Sequence, residues 1–142
     1  MSSESRLYTF SPETKEKLRK FRLGTSRAKD AQAIIYIIDQ KSQEIRPEDG
    51  EIYTNMQDLA DELPDSSPRF ILLSYPLTLK SGRLSVPYVL LYWLPENCNP
   101  NLRMMYAGAV ELMRNTAEVN RVIEVGEEED ITSIESKLQS AD

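Results

Sequence analysis

Apolar residues along this chain fall into continuous blocks and into blocks spaced three and four apart, and their alternation predicts strands interleaved with helices. The first spaced block follows Ser11-Pro12-Glu13. Serine caps a helix, proline fits its first turn, and an acid suits the positive end of its dipole. This helix is expected to run to about Leu23 and stop at Gly24, with Thr14, Leu18 and Phe21 as a narrow buried stripe. Residues 33–38, Ala-Ile-Ile-Tyr-Ile-Ile, are unbroken and rich in β-branching, which predicts a central strand covered on both faces. A turn and a second strand are expected over residues 43–53. Thr54-Asn55-Met56-Gln57 reads as a capping box, and Met56, Leu59, Ala60 and Leu63 recur at helical spacing until Pro64.

Two long strands, 69–79 and 84–94, follow, joined by the turn Lys80-Ser81-Gly82-Arg83. Pro87 predicts an edge or a bulge within the second. Asn99-Pro100 opens the longest helix, which places Leu102, Met105, Tyr106, Ala109 and Met113 on one face. Arg103, Ala107 and Arg114 lie off that stripe with Met104 beside them, which makes a docking face for a groove if Met104 is exposed, although periodicity alone slightly favours Met104 at the margin of the core. A strand over 121–125 leads to a last helix with the capping box Thr132-Ser133-Ile134-Glu135 and with Ile131, Ile134 and Leu138 facing inward. The order is α-β-β-α-β-β-α-β-α, and the two-sided strand at 33–38 predicts an α/β (α+β) fold with helices on both faces of a mixed sheet.

Composition narrows the chemistry. The chain has 142 residues, which suits a single domain, with 40% apolar and 28% charged residues. It has no histidine and one cysteine, Cys98, so no Ser-His-Asp or Cys-His nucleophile, histidine base or Cys/His zinc site can be built. An internal disulfide is excluded as well, which fits a reducing compartment. The five glycines are scattered, so there is no phosphate-cradling loop. The acids at Glu127-Glu128-Glu129-Asp130 lack the spacing of a calcium loop. Carboxylate pairs such as Asp61/Glu62 and Glu48/Asp49 fall at turns or exposed faces. The expectation is a protein that is not an enzyme, with no cofactor, no metal and no transmembrane segment, located in the cytoplasm or also in the nucleus. Tyr36, Tyr75, Tyr88 and Tyr92 sit among aliphatics and are expected in the core or at its edge rather than as a base-stacking platform.

Charge adds the first positive clue. The net charge is −6, yet residues 15–29 carry seven cations and one acid, a local +6 that leaves −12 for the remainder. A basic patch on an acidic protein is ill suited to DNA and suited to steering toward an acidic spot on a protein partner.

Several motifs, taken in order, resemble the glia maturation factor family. They are Lys17-Leu18-Arg19-Lys20-Phe21-Arg22, Ala33-Ile34-Ile35 with Asp39, Asp61-Glu62-Leu63-Pro64, and Pro68-Arg69-Phe70-Ile71. Gly82-Arg83-Leu84-Ser85-Val86-Pro87, Met104-Met105-Tyr106-Ala107-Gly108, Thr116-Ala117-Glu118 and Glu129-Asp130-Ile131-Thr132 continue the match. Length and N-terminus look like those of a fungal member. The resemblance implies one actin-depolymerising factor homology domain over 7–140 after a flexible arm at 1–6, with a mixed sheet of five to six strands sandwiched between helices. It also implies a monomer at cortical actin that binds the actin-related protein 2/3 complex, chiefly its actin-related protein 2 subunit, and binds actin itself weakly or not at all. Such a protein inhibits branch nucleation and promotes debranching.

The site residues follow from the same resemblance. A first surface would use Leu7, Tyr8, Phe10, Arg103, Met104, Met105 and Tyr106, with Arg19, Lys20 and Arg22 as a basic contact or steering patch. A second surface would use Lys80, Arg83, Glu135 and Lys137. After Gly108 the chain reads Ala109-Val110-Glu111 where relatives carry Ser-Lys, so one basic residue of the long helix is missing. Two other functions compete: a cofilin-like protein that binds and severs actin filaments, and a basic-patch adaptor for anionic lipid or RNA.

Overall fold

The central strand β1 (Gln32–Ile38) forms over the β-branched block, and its side chains are buried on both faces. A computed structural model describes residues 7–140, with the backbone only for Ser140, so the arm expected at 1–6 lies outside the described residues. On one side of β1 lies the short β2 (Ile45–Pro47), and on the other β3 (Arg69–Ser74), both antiparallel to it. β6 (Tyr88–Trp93) pairs antiparallel with β3 and parallel with β7 (Arg121–Val125), giving the five-stranded order β2-β1-β3-β6-β7. β4 (Leu77–Thr78) and β5 (Leu84–Ser85) form a separate two-stranded sheet.

Alternation along the strands divides the core in two. One face carries Ile34, Tyr36, Ile38, Phe70, Leu72, Leu90 and Tyr92 against Leu18 and Phe21 of α1 (Pro12–Gly24) and Tyr106, Ala109 and Met113 of α3 (Pro100–Ala117). In register across the sheet, Tyr36 faces Phe70 and Phe70 faces Tyr92, and the Tyr106 ring lies 5.2 Å from that of Phe70. The other face carries Ala33, Ile35, Ile71, Leu73, Val89, Leu91 and Trp93 under α2 (Met56–Glu62), α4 (Glu128–Thr132) and α5 (Ile134–Ser140). Trp93 donates its indole N–H to the Pro64 carbonyl at 2.7 Å, so the buried indole is not left without a partner. α3 is the crossover between the parallel strands β6 and β7, since such a pair cannot be joined by a tight turn.

Local signals fix several ends as expected. Ser11 caps α1 by accepting from the Thr14 amide at 3.1 Å, and Asn99 caps α3 by accepting from the amides of Asn101 and Leu102. Four expectations are corrected. The strand expected over 43–53 is only β2; Gly50 at φ +76° turns the chain away, and pairing resumes as a single bridge between Tyr53 and Ala33. The cap of α2 is Asn55 rather than Thr54, accepting from the amides of Gln57 and Asp58. Each long hairpin strand is broken in two, with Pro76 and Pro87 in the breaks and Tyr75 N–H bonded to the Pro87 carbonyl. The interruption at Pro87 agrees with the irregularity expected there, and β6 beyond it is an inner strand of the sheet.

The last correction concerns the C-terminal helix, which is two helices. The capping box falls on Glu127 and Asp130 instead of Thr132 and Glu135. Asp130 Oδ2 accepts from the amides of Gly126 and Glu127. The acidic run is thus itself the start of α4.

Candidate docking surfaces

The amphipathic spacing of α3 buries Tyr106, Ala109, Met113 and Ala117 and leaves an outward row that includes Arg103, Met104 and Ala107. Met104 is 76% exposed, which overturns the expectation that it packs at the core margin. A large, adaptable apolar side chain held out in water beside a cation offers a partner apolar area next to a fixed charge.

The neighbours of that row anchor it. Tyr8 is buried and its hydroxyl donates to the Met105 carbonyl at 2.9 Å, so the chain before α1 is hooked onto α3. A Cβ at Gly108 would come within 3.2 Å of that hydroxyl, so a residue without one lets the phenol lie close over the helix. Thr9 bridges to Glu44 and extends the hook along β2, and Phe10 packs at the margin of the same core. Tyr106 is buried, and its hydroxyl accepts from the Ile38 amide at 3.0 Å, tying α3 to the end of β1. Burial raises the Tyr106 hydroxyl above its ordinary pKa, so it stays protonated at neutral pH. Met105 is half-buried. Of the residues expected at the first surface, Leu7, Arg103 and Met104 are exposed, whereas Tyr8 and Tyr106 serve the core and Met105 and Phe10 its rim.

The basic residues of α1 differ among themselves. Arg19 is paired with Glu16 at 2.9 Å and Arg22 with Glu118 at 3.3 Å. Lys20 is exposed with no ion pair among the described residues. Glu118 sits in the left-handed region at φ +54°, where it closes the C-terminus of α3.

At the hairpin, Gly82 at φ +91° makes the turn between β4 and β5, and Lys80 and Arg83 project at its tip. Leu84 beside them is 79% exposed, and sequence reasoning did not include it; its signal was a large apolar residue directly after the turn's cation. Leu77 and Leu79 are buried and root the hairpin in the second core. Glu135 accepts from the Tyr75 hydroxyl at 2.8 Å, and the Lys137 carbonyl accepts from Arg121. Gln139 donates to the Thr78 carbonyl, so α5 and the hairpin form one side of the molecule.

No group of three or more metal-ligating side chains converges among the described residues, and no helix among them is long and apolar enough to cross a membrane. Cys98 is buried, with its thiol against the Asn99 carbonyl.

The description "cofilin/tropomyosin-type actin-binding protein" belongs to a family model that matches residues 7–139. The chain is 35% identical over 147 residues to Protein AIM7 of Saccharomyces cerevisiae, covering 96% of this chain and 99% of that protein. It is 37% identical over 117 residues to human glia maturation factor beta, covering 82% and 81% respectively. Among solved structures, glia maturation factor from Caenorhabditis elegans superposes with a TM-score of 0.75 at 32% identity, covering 92% of this chain and 95% of that one. Streptomyces griseoflavus cofilin shares the fold, with a TM-score of 0.74 at 19% identity over 94% and 96% of the two chains. The mixed five-stranded sheet, its two helical layers and these matches agree, and the chain belongs to the glia maturation factor branch of the cofilin/tropomyosin-type actin-binding proteins, a non-catalytic family that regulates actin.

Proposed function

We propose that this protein binds the actin-related protein 2/3 complex, chiefly through its actin-related protein 2 subunit, inhibits branch nucleation and promotes dissociation of existing branches. The observation that carries the reading is the exposed pair Arg103 and Met104 on a helix locked from behind by the Tyr8 and Tyr106 hydrogen bonds. Methionine fills an irregular apolar groove, and arginine beside it fixes orientation by pairing with a carboxylate or a carbonyl. Leu7 adds apolar area to this first surface. The hairpin cations Lys80 and Arg83, with Glu135 and Lys137, form a second surface for a daughter-filament subunit.

The mechanism is differential binding. If the protein prefers the free arrangement of the complex to the branch-junction arrangement, it shifts the equilibrium toward debranching, and each tenfold preference supplies about 1.4 kcal/mol. No covalent step is involved. Action at cortical actin in the cytoplasm follows from the partner.

The test is a pull-down from cytosol with the whole chain as bait, and then the same measurement with Arg103→Glu. The complex should appear with the natural chain and be lost with the variant, whose circular dichroism should be unchanged. Wild-type affinity in the variant would sink the assignment. A second reading, filament binding and severing, takes support for its actin-binding part from the family description. Co-sedimentation with pure actin filaments separates the two, and little or none is expected.

A further inference from the structure

A groove of about 340 Å³ runs between α1 and the β2 edge of the sheet, lined by Lys17, Lys20, Phe21, Ile34, Tyr36 and Ile52 among others. That size lies at the lower end for sites that enclose a small ligand or one anchoring side chain. Phe21, Ile34 and Tyr36 are buried core residues, so the floor is apolar. Ile52 is a large apolar side chain left 52% exposed at the rim, in the loop between β2 and the Tyr53 bridge.

Charge then says what sits there. Within the +6 segment, Arg19 and Arg22 are neutralised by Glu16 and Glu118. Lys17 and Lys20, one turn apart on the groove side of α1, form no ion pair among the described residues. The facing loop contributes Pro47, Gly50 and Ile52 to the lining, while Glu48 is tied to Arg69 and Asp49 accepts from Tyr53. The groove therefore carries two cations along its α1 wall, an apolar floor and the apolar Ile52 at the opposite rim.

We propose that this groove receives a short segment of a protein partner, made of one large apolar side chain that drops onto Phe21 and Ile52 with carboxylates on the side facing α1. The cations lie on the α1 wall alone, so the carboxylates of the segment lie on that side. A lipid headgroup layer or an RNA backbone brings negative charge but no large apolar side chain to cover Phe21 and Ile52, so it fits less well.

Fluorescence anisotropy with the full chain and a labelled peptide tests this, the peptide having a single phenylalanine preceded by four glutamates and followed by neutral residues. Saturable binding is expected, weakened by about tenfold or more when the phenylalanine is replaced by alanine. Ile52→Ser, at an exposed position, should weaken it severalfold without changing the circular dichroism, and Lys17→Glu with Lys20→Glu should abolish it. Amide NMR shifts should move at Gly24 and Gly50, which also line the groove. Equal affinity for the alanine peptide, indifference to Ile52→Ser, or binding to phosphatidylserine vesicles or poly-uridine RNA in preference to the peptide would each overturn the proposal. The assay contains no actin-related protein, so its outcome is separate from that of the function proposed above.

Discussion

The substitution Met104→Ala separates docking from folding on a single side chain. Met104 is 76% exposed, so about three quarters of its surface is available to a partner. Complete burial of a methionine stabilises by roughly 1.5–3 kcal/mol, so covering that share is worth about 1–2 kcal/mol. Removing it should weaken binding to the actin-related protein 2/3 complex by about 5- to 30-fold, since 1.4 kcal/mol is tenfold. Stability should move by less than about 0.5 kcal/mol, because an exposed helix position loses little and alanine is the better helix former. Met113 on the same helix is fully buried, and Met113→Ala should cost about 2–5 kcal/mol. Binding is measured by anisotropy with purified complex, and stability by urea titration followed by circular dichroism. Affinity within twofold of wild type for Met104→Ala would refute the docking assignment. A loss of stability above about 1 kcal/mol would refute the description of the side chain as free of the core.

Three other outcomes are expected. Burial raises the hydroxyls of Tyr36, Tyr88, Tyr92 (to about 12) and Tyr106, so the unfolded chain gives up these protons first, near pH 10. Stability is thus fully present below about pH 10 and falls above it by up to about 1.4 kcal/mol per pH unit for each such tyrosine. With no histidine in the chain the urea midpoint should stay flat from about pH 5.5 to 7.5, and a step there would contradict the assignment. Gly126→Ala would place a Cβ 2.9 Å from the Leu94 carbonyl oxygen, so the end of β7 must shift at a cost of about 1–3 kcal/mol, read as a lower melting temperature. Tyr8→Phe removes the bond to the Met105 carbonyl and should cost about 1 kcal/mol, with faster proteolytic cleavage before α1; unchanged cleavage would show that the hook does not hold.

Signals carried within a few residues were legible in the sequence. The block at 33–38, the serine-proline start of α1 and the asparagine-proline start of α3 each specify their own conformation, and the structure places elements there. Competing local signals were settled only by packing. Thr54 and Asn55 both cap well, and the burial of Leu59 and Ala60 sets the phase that selects Asn55. Thr132 lost its cap to Glu127 because Ile131 and Ile134 both turn inward, which two short helices permit. The break of the hairpin into a separate sheet is a property of strand pairing that Pro76 and Pro87 allow but do not specify. At the candidate site, helical periodicity puts position 104 on the border between faces, so its exposure needed coordinates. The Tyr8 bond joins residues 97 apart, and no period in either segment encodes it.

α3 leaves β6 and returns to β7, and those two strands lie side by side, closed by the Leu94 amide on the Val125 carbonyl at 2.8 Å. Its two ends are therefore tied to neighbouring strands of one sheet, which restrains the helix from sliding or tilting to meet a partner. Association should then be a single bimolecular collision, with an observed rate that climbs linearly with partner concentration and shows no saturating rearrangement. If the helix docks as proposed, side-chain rotation at Arg103 and Met104 is the freedom lost there, and differences in residence time between variants should trace to those two rotors.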